Sequence, residues 1–96
     1  MNLEIATIKI KKADQAEFRE KFGEAQKLIS RQPGYISHEI LLCSEDPERF
    51  VLLVRWQKIE DHTEGFRGSA DYQEWRRLLH PLFQPNPEVL HYDPFS

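Results

Sequence analysis

The chain has 96 residues, 40% hydrophobic and 30% charged, with a formal net charge of −3. That length allows one domain with a real core, and 13 basic residues scattered among 16 acidic ones argue against nucleic acid or an anionic membrane as a partner. A single cysteine, Cys43, rules out an intrachain disulfide and suits a reducing compartment.

At the amino terminus apolar residues precede Lys11-Lys12, the reverse of a secretory signal. No apolar stretch reaches bilayer-spanning length, so a cytoplasmic protein is expected. Leu3 to Ile10 reads as the first strand, with Leu3, Ile5 and Thr7 on one face and Ala6, Ile8 and Ile10 on the other. Asp14 followed by Glu17 resembles a capping box. Phe18, Phe22, Ala25 and Ile29 then form one helical stripe, widened by Leu28, and Pro33-Gly34 ends the helix.

Tyr35 to Cys43 and Phe50 to Trp56 read as a hairpin whose polar connection contains Pro47. Ile59 to Phe66 fits a short helix broken at Gly68, with Ser69 placed to cap a second helix. Tyr72, Trp75, Leu79 and Leu82 mark the buried face of that helix, which Pro81 should end or kink. Glu88 to Asp93 makes a last strand. With right-handed crossovers this order predicts an α+β fold: a ferredoxin-like antiparallel sheet with helices on one face, in a single domain spanning residues 1–96.

The strands are apolar on both faces. Phe50, Leu52 and Val54 oppose Val51 and Leu53, while Ile36, Ile40 and Leu42 oppose Leu41 and Cys43. Helices cover only one face, so the other calls for a second copy and predicts a homodimeric α+β barrel. Hiding ~600 Å² of apolar area per chain would contribute on the order of 15 kcal/mol before association costs.

His62 lies three residues after Ile59 and four before Phe66, so all three are expected on one side of a helix. It is the candidate general base, with a structural histidine bonded to backbone or carboxylate as the other reading. Trp56, Phe66, Tyr72 and Trp75 are candidates to line a flat apolar site for a quinone-like or polycyclic ligand, or else they are plain core. Arg55, Arg67 and Arg76 are candidate anion or carbonyl partners, or solvated surface charges. The four histidines show no metal-ligand spacing, and no phosphate-cradling loop or nucleophile elbow is present. No metal and no cofactor is therefore expected.

The chain resembles the antibiotic biosynthesis monooxygenase family of dimeric α+β barrels along nearly its whole length. The resemblance rests on Ile5-Ala6-Thr7-Ile8, on Gln32-Pro33-Gly34-Tyr35 and on the Trp-x5-His-x3-Phe-x2-Ser run from Trp56 to Ser69 within the Trp56 to Trp75 segment. It continues through Leu78-Leu79-His80 and Val89-Leu90-His91-Tyr92. It implies a homodimer with a site between sheet and helices, and oxygenation of aromatic polyketides or quinols without metal or flavin. His62 would then act as base, with Tyr72 or Arg76 stabilising the developing oxyanion.

One branch of the family degrades haem with an asparagine on the first strand and a tryptophan–histidine pair later in the chain. Thr7, Phe66 and Arg76 stand at those positions here, which argues against that activity. The competing reading is a non-enzymatic or stress-associated dimer that binds a small apolar ligand and makes no demand on His62. A purely structural partner-binding module is the third.

Overall fold

A computed structural model describes all residues, 1–96. The elements are β1 (Asn2–Lys9), α1 (Gln15–Ser30), β2 (Tyr35–Leu42), β3 (Arg49–Trp56), a π-helical turn (Asp61–Phe66), α2 (Ala70–Leu79) and β4 (Glu88–Tyr92). The strands form one antiparallel four-stranded sheet in the order β2-β3-β1-β4, the ferredoxin-like arrangement. No helix is long and apolar enough to cross a membrane.

Each helix forms for reasons visible in its sequence. The α1 stripe of Phe18, Phe22, Ala25 and Ile29 is buried against the sheet. Gly34, at φ +85°, supplies the left-handed turn after α1. Ser69 caps α2 by accepting from the Tyr72 backbone N–H, and Trp75, Leu78 and Leu79 enter the core. Pro81 falls in the 3-10 turn His80–Leu82 that ends the helix.

Several expectations change. The Asp14 side chain makes no cap bond, because a 3-10 turn at Lys12–Asp14 runs into α1 and leaves Asp14 with helical backbone angles. The Gln15 amide holds this corner instead, donating to the carbonyls of Ile10 at 3.1 Å and Pro47 at 2.8 Å. β2 ends at Leu42, leaving Cys43 half-buried just beyond it. A β-bulge between Tyr35 and Ser37 makes Ile36 the unmatched residue, 47% exposed rather than aligned with Ile40. Ile59 is 38% exposed and does not share the buried face of His62 and Phe66. The wider i→i+5 pattern of the π turn, seen in the bond from the Arg67 N–H to the His62 carbonyl, breaks the α-helical phase.

The covered face of the sheet carries Ala6, Ile8, Leu52, Val54 and Trp56, all buried. The opposite face aligns three rows across the strands: Leu41–Val51–Thr7–Glu88, Glu39–Leu53–Ile5–Leu90 and Ser37–Arg55–Leu3–Tyr92. No helix covers these rows, and Leu41, Leu90 and Tyr92 are 46%, 46% and 49% exposed.

Candidate functional site

Strand alternation puts Asn2 and Glu4 on the covered face of β1, in line with Ala6 and Ile8. Glu4 is 4% exposed, and its Oε1 accepts a hydrogen bond from the Trp56 indole N–H at 3.0 Å. His62 hangs from the π turn over the same end of the sheet and stacks on Trp56 with ring centroids 5.6 Å apart. Its Nε2 lies 3.5 Å from Glu4 Oε1, and its Nδ1 lies 2.8 Å from Nε2 of His91 on β4. Asn2 closes this end by donating to Asp93 at 2.9 Å.

Beside this cluster lies a cavity of about 170 Å³ between the sheet and α2. Ala6, Ile8 and Leu52 form its apolar floor, and Glu4, His62, Arg67, Tyr72, Trp75 and His80 border it. Trp75 and Tyr72 are held edge-on to Phe66 at 5.5 and 5.2 Å, so their orientation is set by the core behind them. A second hollow of about 240 Å³ lies between α1 and the β2–β3 edge, but its lining is mainly phenylalanine, isoleucine and leucine with Gln15 and Arg19. No group of three His, Cys, Asp or Glu side chains is arranged to hold a metal ion.

Burial pushes the Glu4 carboxyl up to about 7, although the Trp56 hydrogen bond and the Arg67 charge pull it down. Burial pushes His62 down to about 3, helped by Arg67 and by His91. His91 is lowered by burial and Arg67 against an opposing pull from Asp93, and His80 is lowered by burial and Arg76. The His62–Glu4 contact is thus no ion pair at neutral pH. A neutral imidazole faces a carboxyl close to its own titration point.

Of the residues singled out by sequence, His62, Tyr72 and Trp75 come together at the cavity. Trp56 and Phe66 do not border it; they are 0% and 1% exposed and form the wall behind. Arg76 is exposed on the outside of α2, and Arg67 is the arginine that borders the cavity. Arg55 lies on the uncovered sheet face, 3.5 Å from Glu39. His62 does not titrate near neutrality, because burial withholds the solvation its cation needs. Sequence reasoning missed Glu4, His80 and His91. The signal for Glu4 was present: an acidic residue in phase with Ala6 and Ile8 on an otherwise apolar strand face.

A covered antiparallel sheet with a small cavity between sheet and helices defines an α+β ferredoxin-like domain. Within that class, the chain belongs to the antibiotic biosynthesis monooxygenase family, whose sequence profile matches residues 1–78. It is 46% identical over 89 residues to the uncharacterised protein YczJ of Bacillus subtilis, covering 93% of this chain and 94% of that one. A crystal structure of a candidate antibiotic biosynthesis monooxygenase from Bordetella bronchiseptica superposes with a TM-score of 0.92 at 33% identity, over 99% of this chain and 97% of the other. SnoaB, a cofactor-independent oxygenase from Streptomyces nogalater, shares the fold with a TM-score of 0.84 at 17% identity, over 99% and 93% of the two chains.

Proposed function

We propose that the protein is a cofactor-independent monooxygenase acting on a quinol- or polyketide-like aromatic molecule, working as a cytoplasmic homodimer. The observation that carries this reading is the cavity itself, with aromatic edges on one side and one buried carboxyl poised near neutral pH. Removing a proton from a bound quinol leaves an electron-rich anion that reacts directly with oxygen. A C–O bond forms and the O–O bond breaks. One oxygen atom stays on the ring, the other leaves as water, and the substrate supplies all the electrons on its way to a hydroxyquinone. Tyr72 and Arg67 border the cavity and carry donors suited to stabilise the developing oxyanion.

Size narrows the substrate. A cavity of about 170 Å³ is close to the ~150 Å³ hollow that holds benzene and below the ~300–1,000 Å³ of drug-sized sites. It favours a single substituted ring over a polycycle and argues further against haem. The apolar centre of the uncovered face, Leu3, Ile5, Val51 and Leu53 with Leu41 and Leu90 to either side, supports the face-to-face dimer, with Glu39, Arg55 and Glu88 among them as its charged members.

The test is oxygen uptake with a panel of hydroquinones and anthrones of increasing ring number. Uptake with single-ring hydroquinones and a hydroxyquinone product supports the reading. Saturable binding of the same compounds with no oxygen uptake would overturn it in favour of a non-enzymatic ligand-binding dimer.

A further inference from the structure

The geometry points to Glu4, rather than a histidine, as the group that takes the proton from a ligand in the cavity, with His62 and His91 passing that proton outward. This assignment rests on the cavity being the reaction site. Glu4 is the only carboxylate bordering the cavity, and its Oε1 is fixed by the Trp56 N–H. Behind it the two imidazoles lie in series towards the edge strand. His62 Nε2 is 3.5 Å from the carboxylate, and His62 Nδ1 is 2.8 Å from His91 Nε2 on the partly exposed edge strand.

The protons balance along this path. The Glu4 carboxylate takes the proton and becomes the acid. It gives the proton to His62 Nε2 while His62 Nδ1–H passes its own to His91 Nε2. Glu4 is again a carboxylate, His91 releases the proton to water, and His62 is left as the Nε2–H tautomer that the carboxylate holds at rest; a turn of its ring once Glu4 is next protonated restores the Nδ1–H form and closes the cycle. His62 never has to hold a charge in a place that disfavours one. The 3.5 Å step is longer than a working hydrogen bond, and such distances commonly tighten when a ligand fills the site. The charged and titratable groups facing the path are Arg67, His80 and Tyr72 from the cavity side and Asp93 beside His91. Arg67 favours the ionised carboxylate, and Asp93 favours a proton on His91.

The path can be tested without a substrate. In the free protein, infrared spectra from about pH 6 to about pH 9, above the range of ordinary carboxyls, should show a protonated-carboxyl band that fades near neutral pH and is missing in Glu4→Gln. Over the same range, ¹⁵N NMR should show His62 neutral throughout and moving from the Nδ1–H to the Nε2–H tautomer as the carboxyl ionises. A band that persists in Glu4→Gln, or a His62 tautomer that does not move, overturns the path.

Oxygen uptake with methylhydroquinone then tests catalysis. Glu4→Gln should lower kcat by about 10²–10⁴-fold. His91→Gln, at a partly exposed position that tolerates change, should lower kcat about tenfold with KM unchanged and a larger solvent isotope effect. An unchanged kcat and pH profile in Glu4→Gln overturns the assignment while the monooxygenase reading stands. No uptake by the wild type sinks that reading instead, and the path is then judged by the infrared and NMR results.

Discussion

Trp56 stands opposite Asn2 in the β1–β3 ladder, yet its indole N–H reaches diagonally along β1 to donate to Glu4 at 3.0 Å. This single donor partly offsets the burial of a carboxyl that is 4% exposed. Trp56→Phe keeps most of the ring and removes the N–H. The Glu4 titration midpoint should rise above its present value of about 7, because the donor favours the ionised form. Stability at neutral pH should fall in urea unfolding by more than the ~1–3 kcal/mol cost of leaving a buried acceptor unpaired, because the lost ring atoms of a fully buried side chain leave a cavity as well.

Glu4 and His62 impose opposite pH dependences on stability. Glu4 is raised from 4.5 to about 7, so its contribution is fully present below 4.5 and is lost as pH rises towards 7, by roughly 3 kcal/mol. His62 is lowered from 6.5 to about 3, so stability is lost as pH falls below 6.5, where the unfolded chain takes up a proton that the folded one refuses. Between 4.5 and 6.5 the two largely cancel. Burial also lowers His38, His80 and His91, so wild-type unfolding free energy should rise gently with pH there, whereas Glu4→Gln should rise more steeply across the same window. Relative to wild type, the variant should gain about 3 kcal/mol between about pH 4 and about pH 8.

Arg67 lowers Glu4, His62 and His91 together through its charge. Arg67→Gln should therefore raise all three midpoints, which infrared and NMR titrations would read directly. Its side chain is exposed, so the change in folding stability should stay within about 0.5 kcal/mol. A midpoint shift confined to one of the three groups would contradict a shared electrostatic cause.

Gly34 combines a φ of +85° with the closest approach made by any glycine in the chain. A Cβ there would lie 2.0 Å from Asp61 Oδ2. Gly34→Ala should cost about 2 kcal/mol or more, since both the backbone and the Asp61 side chain must give way. Asp61 also accepts from the Lys58 N–H at 3.2 Å, so the strain should reach the start of the π turn. Loss of His62 protection in hydrogen exchange, alongside a lower unfolding midpoint, is the expected readout.

Leu53 occupies the central row of the uncovered sheet face, between Glu39 and Ile5. In a face-to-face dimer, Leu53→Glu sets a second negative charge directly opposite Glu39 at the interface, and the variant should run as a folded monomer in gel filtration with light scattering. A wild-type protein that is already monomeric at low micromolar concentration would remove the dimer from the proposal.

Much of the scaffold could be read directly from local periodicity. The Phe18–Phe22–Ala25–Ile29 stripe, the Ser69 cap and the alternation in β1 and β3 each depend on residues within a few positions of one another. What escaped depends on distant partners or on small changes of phase. Glu4 meets Trp56 across 52 positions and His62 meets His91 across 29, and no local period encodes either meeting. The bulge at Ile36 and the wide turn at Asp61–Phe66 each shift phase by a backbone irregularity that leaves residue types unchanged. Arg67 and Arg76 were equivalent as sequence, and only the break between the π turn and α2 separates a cavity arginine from a surface one.

The π turn also behaves like a reading frame. The π turn advances each side chain by less than the ~100° of an α-helix, so deleting Thr63 or Glu64 would turn Phe66 out of line with His62. Substitutions at Thr63 and Glu64 can be absorbed, because neither side chain enters the core that holds His62 and Phe66. A change of length cannot, because it re-aims every later side chain up to the Ser69 cap. Away from Asp61, His62 and Phe66, this stretch should accept alterations of chemistry, and nowhere along it a change of count.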